Sequence, residues 1–545
     1  MKERLFVNGK IITMDENLGT STTKSGRETQ PDSVLVRGNR IEAVGTKEEL
    51  NTKVSTNAEI VDLDGKTMLP GFNDNHLHLV GLGSTLAVPD LFGLSKQEII
   101  QALRERYENN DSSDWVQGRN WDYPTCPNPH RRDLDTVFPD RPAILSQFSG
   151  HGAWCNSAAL KKLKIGQNTK VWPNGQILRD KDGYPNGILR EPYGNPAMRW
   201  RAIKTMWSRK EIRKAIETAT VKLREAGITS VQDNTWFPPV LSEIKRLHRQ
   251  GRLTARVSCW SLGEVPLFFA LLNMRSYNPQ WFKKGPVKFF WDGAFSSRTA
   301  WLMENYTDEP ENGGKGRTAE EMVKRMEPHV RRHRQIAAHS IGDRSSKEYC
   351  DVVEMLRDKY PWVTDLRIRI EHSQLFREED FERIASLGML ACAQPSALID
   401  AEKDITLLGA ERAQHAYPYR SLLDSGVHLS FGSDFPGEYS YEPLVGIQNA
   451  STREGAERIT VEEAIRCYTA NSAYAEGVES DKGTITPGKL ADFVVLEENP
   501  LEIDPSKIAE IAVSMTVVDG RTVYGSQEKS STEEPITVES GSAKK

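Results

Sequence analysis

The chain has no run that approaches the ~20 consecutive apolar residues of a membrane span. Its opening segment, MKERLFVNGKIITMD, lacks the apolar core of roughly 7–15 residues that marks a secretory signal. Cysteine is scarce: Cys126, Cys155, Cys259, Cys350, Cys392 and Cys467 are scattered without CxxC or framework spacing. That distribution argues against a disulfide scaffold and for reduced thiols in a cytoplasmic protein. Charge of one sign is scarce as well, since a net −5 over 545 residues is too small to suggest a nucleic-acid or anionic-membrane surface.

What is present is a length that allows one large domain plus a smaller one. Residues 1–68 read as short strands with turns: LFVNGKIITM, SVLVRGNRIEAVG and EIVDLDGKTML, punctuated by Asn8-Gly9, Gly38-Asn39 and Asp64-Gly65 as hairpin signals. Residues 17–32 are polar and turn-rich, the pattern of a long exposed loop. Strand grammar returns in 485–525, so the two ends are expected to complete one small β-sandwich, with 526–545 a disordered tail.

Between the ends, 69–484 alternates apolar strand-like runs with helical stretches. The runs are PGFNDNHLHLV, GITSVQD, TARVSCW, VKFFWDG, QIAAHSIGD, RIRIEHSQ, MLACAQPS and HLSFGSD. Amphipathic segments such as RKEIRKAIETATVKLREA and TAEEMVKRMEPHVRRH lie between them. Eight strands with intervening helices predict an α/β fold, a (β/α)₈ TIM-like barrel with its reactive groups at the C-terminal strand ends. An open doubly wound sheet is the competitor, and no Gly-rich phosphate loop follows the first strand to support it. Residues 81–207 are too long for one connection and are expected to form an inserted lid.

The candidate chemistry sits at those strand ends. His76 and His78 flank Leu77, so on a strand they share a face and can converge on one cation. Lys288 lies in strand four, His339 ends strand five, His372 ends strand six and Asp434 ends strand eight. Singly, each has a plainer reading: Lys288 a lysine reaching solvent, the histidines hydrogen-bonded core groups, Asp434 an Asx turn before proline. Together at five strand ends they suit two divalent cations about 3.5–4 Å apart, provided one more anion bridges them. A buried lysine beside two cations is pushed towards its neutral amine, which can take up carbon dioxide as a bridging carbamate. Asp434 can ligate and shuttle the proton of an activated water.

Other polar residues have two open readings. His151, in SGHGAWCNSAAL, either contacts substrate or caps a turn. Asp74 can orient a ligand histidine. Asp292, Arg298 and Asp343 anchor loops or substrate. Trp121, Tyr123, Phe148, Trp154 and Trp301 form either an apolar substrate wall or packing.

These segments resemble the metal-dependent amidohydrolase superfamily, and within it the branch that includes N-substituted formamide deformylase. PGFNDNHLH is similar to the family's Pro-Gly-Phe-x-Asp-x-His-x-His opening, VKFFWDG to its lysine strand, and HSIGD to its His-Ala-x-Gly-Asp. RIEHSQ, GSDFP, ITVEEAIRCYTANSAYAEG and GTITPGKLADFVVLEENP continue the likeness over nearly the whole length. Asn73 and Ser340 depart from the usual apolar residue and alanine.

The resemblance implies two divalent metal ions, expected to be zinc. His76 and His78 would hold the first, His339 and His372 the second, Lys288 would bridge as carbamate, and Asp434 would be ligand and acid/base. It implies hydrolysis of a non-peptide carbon–nitrogen bond of a small molecule, such as an N-formyl or N-acyl amine, by a metal-bridging hydroxide. A mononuclear deaminase is the alternative within the superfamily, although its usual glutamate after the strand-five histidine is missing from HSIGDR. A non-catalytic regulatory protein on the same fold is the alternative from another class. A homo-oligomer stays open.

Overall fold

The computed structural model describes residues 2–16, 21–22, 28–85, 88–108, 115–148, 152–170, 175–190, 208–234, 238–263 and 278–525. His151 and the expected tail, 526–545, lie outside the described residues.

The eight expected runs form one parallel sheet in sequence order: Phe72–Leu77, Ile228–Asp233, Arg256–Leu262, Phe282–Phe290, Ile336–Ser340, Arg369–His372, Leu390–Ala393 and His428–Phe431. We number them strands one to eight. Strand eight returns to strand one, where Asn75 Nδ2 donates to Ser430 Oγ at 2.7 Å and Asp434 N donates to His76 O at 2.6 Å. The result is a TIM-like barrel.

Helices cover the outside for readable reasons. Arg209–Glu225 starts at Ser208, whose hydroxyl accepts from Glu211 N while Glu211 reaches back to the Ser208 N–H, and its Ile212, Ile216, Ala219 and Leu223 face inward at helical spacing. Leu79–Thr85, directly after strand one, packs on this helix so closely that a side chain on Gly83 would meet the Ala215 carbonyl.

Two further sheets combine the two ends of the described chain. One holds Glu3–Val7, Ser33–Arg37, Arg40–Gly45 and Glu59–Asp62; the other holds Lys10–Ile11, Thr67–Pro70, Phe493–Leu496, Val513–Val518 and Arg521–Tyr524. Phe6, Val34, Val36, Met68, Phe493, Val495 and Val517 share the core between them. Only one of the three expected turns is a hairpin. Gly38-Asn39 joins two antiparallel partners. Asn8-Gly9 and Asp64-Gly65 carry the chain from one sheet to the other. Asn8 and Asp64 do take the positive φ the dipeptides suggest, but φ alone does not set which strands pair. Within the expected loop 17–32, Ser21–Thr22 pairs with Glu28–Thr29.

The segment between strand one and the 209–225 helix carries its own five-stranded sheet, Val116–Trp121, Ala143–Gln147, Gly152–Cys155, Pro185–Arg190 and Gln176–Arg179. Trp121 and Trp154 are fully buried in its core with Leu103, Val116 and Leu145, and Tyr123 packs against it. These aromatics are packing rather than a substrate wall. Phe148, at the sheet's end, is different: its ring centroid lies 4.6 Å from Tyr439 in the loop after strand eight.

Candidate metal centre

Strand alternation brings His76 and His78 to one side, and both Nε2 atoms face the same carboxylate. Asp434 Oδ1 is 3.1 Å from His78 Nε2 and 3.4 Å from His76 Nε2. One ligand atom each from His76, His78 and Asp434 fall within 4.8 Å of one another. His372 joins them, its Nδ1 3.8 Å from Asp434 Oδ2 and its ring 5.4 Å from that of His76. His339 packs against His372 with ring centroids 4.2 Å apart and planes tilted by 57°, while its Nε2 meets the Gly293 carbonyl at 2.9 Å. The backbone bends to achieve this. His372 and Asp434 both take positive φ, at 76° and 50°, a conformation costly outside glycine and found where structure around it enforces the geometry.

Lys288, from strand four, is 1% exposed, with its Nζ 5.8 Å from the Trp260 ring centroid and 5.3 Å from that of Phe290. Burial lowers its pKa to about 8, against the pull of Glu371 and Asp434. It does not reach solvent, so the snorkelling reading fails. Burial likewise depresses the pKa of His76, with Lys288 adding to it. It carries that of His372 well below the usual imidazole value, helped by His339 and Lys288. Burial alone would raise Asp434, but His76, His78 and His372 hold it well below the carboxylate range.

The donor set fits a divalent cation. Asp434 Oδ1 is buried without a hydrogen bond of good geometry, in front of two imidazole nitrogens. A buried anionic oxygen left in that state is costly unless a cation completes it. Neutral imidazole and carboxylate groups are ligands for zinc and its neighbours.

Glu371 joins the site from strand six, beyond the candidate residues named from the sequence. Its Oε2 lies 2.6 Å from His76 Nδ1, and its Oε1 accepts from Arg369 Nε at 2.7 Å. Burial raises the Glu371 carboxyl, but Arg369 and His76 outweigh it and hold the pKa at about 2. Arg369 also donates to Gln232 Oε1 on strand two and to the Asn75 carbonyl on strand one, so this network crosses the barrel interior. Its signal in the sequence was the R-x-E-H spacing of strand six, which puts Arg369 and Glu371 on one face.

Asp74 does orient the site's backbone: Oδ1 accepts from His76 N and Ser433 N, each at 3.0 Å, and burial lifts its pKa to about 7. Asp292 accepts from Trp301 N, Ile341 N, Gly342 N and Ser345 Oγ, tying the loop after strand four to that after strand five. Asp343 accepts from Met303 N, and Arg298 pairs with Asp308. These three anchor loops. Trp301 is half-buried, with the Arg344 guanidinium 4.7 Å from its ring centroid.

Residues 59–524 match the model of the amidohydrolase family. A Bacillus subtilis protein named as an amidohydrolase, YtcJ, is 30% identical over 519 residues, covering 90% of this chain and 96% of its own. The N-substituted formamide deformylase of Arthrobacter pascens is 28% identical over 560 residues, covering 96% and 98%. An uncharacterized metal-dependent hydrolase from Pyrococcus furiosus superposes with a TM-score of 0.75 at 28% identity, over 92% of this chain and all of that one. The chain therefore belongs to the amidohydrolase family, metal-dependent hydrolases of carbon–nitrogen bonds. Among the described residues, no helix is long and apolar enough to cross a membrane.

Proposed function

We propose that this protein hydrolyses the amide bond of a small-molecule N-formyl or N-acyl amine at a site for two divalent ions, with zinc the expected metal. The observation that carries the reading is Asp434, a largely enclosed carboxylate held ionised among His76, His78 and His372.

His76 and His78 would hold one ion, His339 and His372 the other, with Asp434 a ligand of the site. A bound divalent cation lowers the pKa of water towards neutrality and polarises a carbonyl oxygen. Lys288 is buried and titrates near enough to neutrality to offer its neutral amine to carbon dioxide, giving a carbamate and a proton. That carbamate would supply the further anion that two divalent ions need beside neutral imidazoles and one carboxylate. Asp434 accepts the proton of the attacking water and returns it to the departing amine, so that amide plus water gives carboxylate and ammonium. The name of the Arthrobacter relative supports an N-formyl amine. The segment carrying Phe148 is assigned as a lid on its contact with Tyr439, five residues beyond Asp434, and His151 within it as a substrate contact.

A mononuclear deaminase has one observation in its favour: His76, His78 and Asp434 already form a compact triad. The test is a metal-replete activity screen over N-formyl amines, N-acyl amines, cyclic amides, esters and aminated heterocycles. Release of amine and carboxylate supports the amide hydrolase; ammonia from a ring amino group with no amide turnover overturns it.

A further inference from the structure

Strand seven supplies no metal-ligand candidate, yet its C-terminal end holds an unpaired polar group. Gln394 follows Ala393 directly, is 2% exposed, and has no hydrogen-bond partner at either Oε1 or Nε2. Two residues on, Ser396 Oγ is equally buried and equally unpartnered. A buried primary amide missing its bonds at both ends forfeits on the order of 1–3 kcal/mol per group. Such a group is retained where something else completes it.

Its placement says what. The sheet register pairs His372 with Ala393 and Ala393 with Phe431, so Gln394 stands one level above His372, beside the turn that leads to Asp434. Cys392, two residues earlier, faces the barrel interior: its Sγ is 3.5 Å from Ser430 Oγ, and the Arg369 guanidinium that spans the interior bears on it. Strand parity carries Gln394 to that same side. Pro395 favours extended backbone at Gln394 and so keeps the parity. Gln394 is enclosed to the same degree as His76, Lys288 and His372.

We infer that Gln394 is a substrate-binding residue whose Oε1 accepts the N–H of the scissile bond, making the protein selective for secondary amides. This rests on the amide-hydrolase reading above and deepens it. In a trans secondary amide the N–H and C=O point in opposite directions. An acceptor on one side and the histidine–Asp434 cluster on the other therefore bracket the group. A tertiary amide or an ester offers Gln394 Oε1 no hydrogen and leaves it unpaired. Sites built around a buried hydrogen bond reject partners that lack it far more strongly than apolar pockets reject a missing methylene. The Nε2 end and the Ser396 hydroxyl serve a further polar atom of the substrate, or water.

The experiment uses the metal-replete protein, as wild type, Gln394→Leu and Gln394→Glu, on matched benzylamine-derived triads. The formyl triad is N-benzylformamide, N-benzyl-N-methylformamide and benzyl formate; the acetyl triad has the same three forms. Metal content is measured on each variant. The wild type should favour the secondary amide over its N-methyl partner by at least about 100-fold in kcat/KM. Gln394→Leu should lose roughly 10–100-fold on the secondary amide and less than about threefold on the ester, with metal content unchanged. Gln394→Glu keeps an acceptor and should retain more of the secondary-amide activity than Gln394→Leu. Equal wild-type turnover of secondary and N-methyl amides would overturn the inference while leaving the amide-hydrolase reading intact. So would a Gln394→Leu loss shared equally by all three forms. If the wild type cleaves no member of either triad, the reading of the reaction fails and the inference with it.

Discussion

His76 Nδ1 and Glu371 Oε2 lie 2.6 Å apart in the barrel interior, on strands one and six. A carboxylate can only accept, so Nδ1 carries the proton and the lone pair is left on Nε2, the atom that faces Asp434. Arg369 fixes the carboxylate from behind, so the ring's orientation is set by an unbroken chain of charged hydrogen bonds.

Glu371→Ala should therefore weaken metal binding by about 10–100-fold, with Glu371→Gln, which keeps an acceptor, in between. Competition against a chromophoric chelator reads this directly. Equal affinity in all three proteins would reduce Glu371 to a structural counter-ion of Arg369.

Protein grown with zinc should carry about two ions per chain, as a two-metal hydrolase requires. His76→Ala and His339→Ala should each lose at least one. Elemental analysis of folded protein checks the count, and an absence of metal in the zinc-supplied wild type would remove the basis of the mechanism.

Lys288→Ala should lose the second ion and most activity, and a short carboxylic acid in solution should restore part of both. Reconstitution of the wild type from metal at a fixed concentration of dissolved carbon dioxide has a defined pH dependence. The amine is protonated below its lowered pKa of about 8 and neutral above it, and only the neutral form adds carbon dioxide. The reconstitution rate should rise through pH 7–9 and level off above. A flat profile would argue against carboxylation.

Arg256 ties strand three to the small sheets: its Nε donates to Asp492 Oδ2 at 2.6 Å, and its Nη2 donates to Asp492 Oδ1 at 2.9 Å and to Asp519 Oδ1 at 3.1 Å. All three residues are largely buried. Arg256→Ala strands two carboxylates and should cost about 3–5 kcal/mol, seen as a lower denaturation midpoint. Metal content below that midpoint should not change.

The eight strands were legible because each is an apolar run that ends in polar residues, and the His-x-His pair because strand parity is local. The pairing of Glu371 with His76 was not legible, although the R-x-E-H spacing put Glu371 beside Arg369. His76 lies 295 residues away, and only closure of the barrel brings the two together. Gln394 was hidden for a related reason, since a glutamine at the end of a strand-like run carries no chemical signal until its burial and its missing partners are known. The sheet-switching turns at Asn8-Gly9 and Asp64-Gly65 were misread because a turn dipeptide reports local φ and not the distant strand each arm joins.

Thr67–Pro70 pairs antiparallel with Phe493–Leu496 and runs through Gly71 straight into strand one. Ribosomal synthesis makes these partners at widely separated times. Until residues 493–518 emerge, the strand leading into His76 and His78 keeps a bare hydrogen-bonding edge, a template for wrong pairing. Assembly of the proposed site around the first two histidines is thereby tied to a late event of translation, and a nascent chain stalled before residue 493 holds His76 and His78 on an unfinished sheet.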